Sequence, residues 1–173
     1  MFWHLMSTTD PVERRFDLVR PNRDKAASKA TKAVVILLLL ISAGLVLIVT
    51  VGGWSRLAGA QPVQVFYVIV YLVMAFYVAR WNRGVLPIAA ALAMILGIFA
   101  AIAGPAWFAR DKTGFTDPSL PAGALGLITL LIIPVQLLLI AFAMRGFQQA
   151  WNVEVEVPEG ETYRPGEHQP RTA

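Results

Sequence analysis

Residues 33–53 read AVVILLLLISAGLVLIVTVGG, without a charged side chain, between Lys32 and the polar step Trp54-Ser55-Arg56. At about 1.5 Å of rise per residue, a helix of this length covers roughly the 30 Å hydrocarbon thickness of a bilayer. A helix on a soluble domain would carry a polar stripe, which this run lacks. Three further apolar runs follow, at about 62–79, 85–108 and 122–144. They close on Arg80-Trp81-Asn82-Arg83-Gly84, Arg110-Asp111-Lys112 and Arg145-Gly146, respectively. The pattern predicts an all-α integral membrane protein, a four-transmembrane-helix bundle over residues 33–145.

The flanks have a different pattern. In residues 1–32, Asp10 can cap a helix, Pro11 suits its first position, and Glu13 lies three residues after the cap. Val12, Phe16 and Val19 then make an apolar stripe beside Arg14, Arg15 and Arg20. This predicts a short amphipathic helix on the membrane surface or in a solvated tail, ending before Pro21. Residues 1–5 (MFWHL) either dip into the headgroups or precede a start at Met6, where MSTTDPVERR begins. Residues 146–173 form a tail expected to be largely disordered. Phe147 and Trp151 can extend the last helix along the interface. Residues 153–157 alternate with period two, and an isolated strand must pair or stay extended. From Glu159 onward the Glu, Gly, Pro, Arg and Gln content predicts disorder.

Basic residues set the expected orientation. With both termini inside, the cytoplasm holds the N-terminal cluster, Arg80, Arg83, Arg145, Arg164 and Arg171, leaving Arg56, Arg110 and Lys112 outside. This distribution favours N-in, C-in in the cell (plasma) membrane, and an even number of spans agrees with it. The lead before the first span is long and its apolar core exceeds the 7–15 residues of secretory signals, so Ala58-Gly59-Ala60 is not read as a cleavage site.

Composition alters the picture only in places. Apolar residues make up 57% of 173 positions, which leaves little material for a soluble domain. The net charge of +4 is concentrated at span ends, so lipid headgroups rather than nucleic acid are the expected partner. The lean toward Arg over Lys, with abundant Ala, Gly and Val, suggests a bacterial source. The chain has no cysteine, which removes thiolate chemistry and disulfides.

Chemistry-bearing residues are missing from the places where a membrane enzyme would need them. No Asp, Glu, Lys, Arg or His lies in the central part of any span, which argues against a carboxylate proton relay. His4 and His168 lie in the tails, away from any axial haem position. Ser42 has no nearby base to activate it. No catalytic residue, metal ligand or cofactor site is therefore expected, and the chain is read as not an enzyme.

Three kinds of residue remain. Trp54 with Arg56, Trp81 with Arg83, and Trp107 with Arg110 pair an indole and a guanidinium at span ends, as interfacial anchors. The alternative is a ligand site on the outer face, made by Trp54, Arg56, Trp107 and Arg110. Ala89, Ala93, Gly97 and Ala101 recur every four residues, a small-residue ridge for a close helix neighbour inside the bundle or in a second protein. Gln136 is the intramembrane polar residue, offering either an interhelical hydrogen bond of about 1 kcal/mol or a pore lining. Tyr67 and Tyr71 share one face of the second span, as packing residues. The expected function is an accessory, assembly or scaffold subunit of a larger membrane complex, with a membrane-protein partner or a second copy. The alternative is a small oligomeric transporter or pore without an intramembrane carboxylate.

Overall fold

Each apolar run becomes one long helix, because lipid offers backbone amides no partner and the helix satisfies them internally. The computed structural model describes residues 16–57, 59–109 and 118–165. After a strand β1 (Phe16–Val19) and a single turn α1 (Pro21–Asp24) come α2 (Ala26–Gly52), α3 (Gln61–Ala79), α4 (Val85–Ala109) and α5 (Ala122–Gln148). A second strand, β2 (Val155–Pro158), follows. The four long helices are apolar enough to cross a membrane, making this a multi-pass membrane protein. Leu37, Phe66, Ile98, Leu127 and Leu137 all face outward, a surface suited to lipid and not to water.

The helix ends are chemically marked. Gly53 closes α2 by donating its amide to the Val49 carbonyl at 2.9 Å, and a tight turn Trp54–Arg56 follows. Pro62 lies in the first turn of α3, where its missing amide costs nothing. Trp81 and Ala150 turn the chain just past α3 and α5 with φ of 63° and 48°, the left-handed region usually left to glycine.

The packing order differs from the chain order. α2 lies against both α3 and α5, and α4 packs along α5, but the consecutive helices α3 and α4 scarcely touch. The tightest approach is α4 on α5. A Cβ at Gly104 would sit 2.5 Å from the Leu130 side chain, and one at Gly126 would sit 2.8 Å from the Phe108 ring. Without a hydrophobic force between helices in lipid, such close approach is what holds them together. Pro134 lies inside α5 and cannot donate to the Leu130 carbonyl, so Gly104 meets α5 at a turn that lacks one ladder bond.

The flanks depart from expectation. Phe16–Val19 is a strand rather than the end of an amphipathic helix; residues 10–15 of that helix lie outside the described residues. It pairs antiparallel with β2 in the register Phe16 to Pro158 and Val19 to Val155. A distant partner overrides the local spacing here, since four residues are too few to hold a helix alone. The tail is also more ordered than its composition predicts. Trp151 is fully buried, Val155 and Val157 are buried, and only from 166 onward does the tail lie outside the described residues. Both described ends of the chain therefore meet at one end of the bundle.

Candidate functional site

Near the middle of the long helices, side chains join three of them. The Tyr71 hydroxyl of α3 donates to Oε1 of Gln136 on α5 at 2.9 Å. Nε2 of Gln136 donates to Oγ of Ser42 on α2 at 2.9 Å, and Ser42 donates back to the Leu38 carbonyl at 2.7 Å. Tyr71, Gln136 and Ser42 are each at most 1% exposed. Each is thus satisfied where an unpaired group would be costly. Gln136 is a bonded crosspiece between α3 and α2.

One helical turn away, the interior opens. Because α3 and α4 diverge, a cavity of about 400 Å³ lies between them in the half of the bundle remote from the chain ends. Val46, Val49, Leu96, Ala100, Trp107 and Ile132 form its apolar wall, and Leu57 and Ala60 close it toward the α2–α3 turn. Val63, Phe99 and Ile102 line it too and are themselves exposed, so it opens sideways to the lipid-facing surface. Its polar groups are few: Tyr67, Gln64 and Thr129. The Thr129 hydroxyl donates to the Leu125 carbonyl at 2.7 Å. Gln64 meets Thr50 Oγ1 at 2.7 Å, and Thr50 also lies 2.6 Å from the Val46 carbonyl. One hydroxyl proton cannot serve both, so turning the Gln64 amide to donate to Thr50 satisfies all three groups. Tyr67, only 4% exposed, stacks edge-on against Tyr71 at 5.7 Å, and its hydroxyl has no hydrogen-bond partner among the described residues.

The bundle end that carries both strands is clamped by charge and aromatics. Arg20 donates to Glu154 through Nε at 3.0 Å and through a terminal nitrogen. Arg23 donates to the Trp151 carbonyl and to Asn152, both at 3.1 Å. Burial, then the neighbouring Arg20, lowers the Arg23 guanidinium from its ordinary value, and Glu154 opposes this. Trp81 meets Trp151 edge-on at 5.3 Å, with Lys32 Nζ 4.1 Å from the Trp81 ring. Arg83 lies over Phe147 at 4.2 Å. A shallow cleft bounded by Leu18, Arg20, Arg23, Lys29 and Trp81 marks this end.

No family model, curated protein or solved structure matches this chain. The reading of the site therefore stands on its geometry.

Several residues singled out in the sequence sit elsewhere than expected. Trp107 is 2% exposed, packs on Gly53 and forms a wall of the cavity. Trp54 is exposed at the end of α2, Arg56 is half-buried, and Arg110 lies outside the described residues. Of the outer-face grouping Trp54, Arg56, Trp107 and Arg110, the described members lie near the α2 end, with Trp107 turned inward against Gly53. Trp81 and Arg83 serve the clamp through Trp151 and Phe147. On α4, Ala89 and Ala93 are fully buried and Gly97 approaches the Cβ of Gln136, but Ala101 is exposed. A spacing of four drifts about 40° per step around a helix of 3.6 residues per turn, so Ala100 and Gly104 take over the seam. The structure adds Gln64 to the residues of interest and gives Ser42 and Thr50 partners in neighbouring helices. Their signal in the sequence is a polar group at matching depth in neighbouring spans, which no spacing rule pairs.

Proposed function

We propose that this chain is a non-catalytic accessory, assembly or scaffold subunit of a larger membrane complex. It sits in the cell membrane with both termini in the cytoplasm. The observation that carries this reading is the clamped sheet at the end of the bundle. β1 and β2 bring together segments 134 residues apart, as the Arg20–Glu154 pair measures. The sheet leaves Phe16 and Leu18 about half exposed on its outer face, beside Glu156. Each strand also keeps one open edge among the described residues, the feature that strand addition by a partner uses. A chain whose ends served no purpose would have little reason to hold them in one geometry with an arginine–carboxylate pair and a buried tryptophan. The cytoplasmic side is favoured because Arg20, Arg23, Lys25, Lys29, Lys32, Arg80, Arg83 and Arg145 gather at this end.

Gentle detergent extraction from native membrane, followed by size measurement and identification of co-purifying proteins, tests the reading. A defined partner should co-purify and be lost in the Phe16→Lys, Leu18→Lys double variant, whose thermal unfolding stays near that of the parent. A chain that runs alone, or only as a homodimer that confers flux on liposomes, contradicts it.

A further inference from the structure

The cavity between α3 and α4 contains a contradiction for a dry interior. The Tyr67 hydroxyl opens onto this space without a partner among the described residues, and filling the space with hydrocarbon alone would leave it unsatisfied at a cost on the order of 1–3 kcal/mol. One turn further on, the same residue type is fully bonded, so the bundle can satisfy such a group where its helices close. At Tyr67 the helices do not close, and the space left has the size of a ligand pocket. Gln64 adds a carboxamide of which one group is engaged with Thr50 and the other is left for the cavity. No charged side chain lines the space. The mouth lies among the lipid-facing residues Val63, Phe99 and Ile102, so an occupant enters from the membrane, not from water.

We propose that this cavity is a binding site for a neutral amphiphile: an elongated apolar body bearing a carbonyl or hydroxyl that hydrogen-bonds to Tyr67 and Gln64. The apolar part lies between α3 and α4 against Phe99 and Ile102, and Trp107 forms the far wall. A phosphate head does not fit this lining, because nothing there compensates its charge. A phospholipid acyl chain fills the volume but leaves Tyr67 unbonded. Quinones and long-chain alcohols share the required chemistry, the first accepting from Tyr67 and the second able to donate and accept.

The full chain, purified in mild detergent, would be titrated with decylubiquinone, with geranylgeraniol and with squalane, and bound ligand counted by native mass spectrometry. At least one of the first two should bind saturably at one per chain, while squalane, lacking oxygen, binds at least tenfold more weakly. Whichever of the two binds more tightly identifies a carbonyl or a hydroxyl as the recognised group. Tyr67→Phe should weaken that binding roughly five- to tenfold, the loss of one hydrogen bond. Tyr77→Phe, on the lipid-facing side of α3, should leave it unchanged. Ala103→Trp, at the mouth where the fold has room, should abolish binding of every probe while leaving thermal unfolding of the unliganded chain in place. Equal binding by the Tyr67→Phe chain, equal affinity for squalane, or a cavity that takes only phospholipid or a partner's helix would overturn the proposal.

Discussion

Tyr67 and Tyr71 are the same residue, one turn apart on one helix and in edge-on contact, and they meet opposite circumstances. Around Tyr71 both α3 and α5 pack against α2, and the hydroxyl reaches across to Gln136 and, through it, Ser42. Around Tyr67 the neighbour across the gap is α4, which leans on α5 instead, and the hydroxyl faces open space. The contrast teaches that in this bundle polar satisfaction is a property of helix convergence and not of residue type. Small residues on α4 draw it to α5, and the divergence of α3 follows from that choice. The closed half serves cohesion, and the open half is where a ligand has something to gain.

The largest change expected is Gly104→Leu. It forces α4 off α5 at the Leu130 turn and should cost about 2–3 kcal/mol of overpacking strain, read from unfolding in mixed micelles. The cavity wall would move with it, so any bound amphiphile should be lost as well. Next comes Gln136→Leu, which makes the closed half resemble the open one by leaving the Tyr71 hydroxyl without its acceptor. A loss of about 1–2 kcal/mol is expected, and no change would mean that the crosspiece holds nothing. Thr50→Val keeps the shape and removes only the anchor of Gln64. About 0.5–1 kcal/mol should be lost in the same assay, together with ligand selectivity between carbonyl and hydroxyl probes.

The four spans were legible because a bilayer demands uninterrupted apolar runs of a set length, and no tertiary partner can change that demand. What joins them was less so. Gln136 announced a hydrogen bond without naming its partners, since Ser42 and Tyr71 lie 94 and 65 residues away in sequence. Phe16–Val19 fitted a helical stripe as well as a strand, and only its pairing with Val155–Pro158 decides between them. Trp107 followed the general preference of indoles for the headgroup region until Gly53 left a place for its ring inside. The cavity itself had no signature in the sequence, because a gap between two helices is written in how their neighbours pack.

The most direct measurement compares Tyr71→Phe with Tyr67→Phe in the unliganded chain, by reversible unfolding in mixed micelles. Removal of the Tyr71 hydroxyl should destabilise the bundle by about 1 kcal/mol, and removal of the Tyr67 hydroxyl should leave stability unchanged or slightly raised. Equal losses at both positions, or a loss at Tyr67 alone, would contradict the division into a closed and an open half.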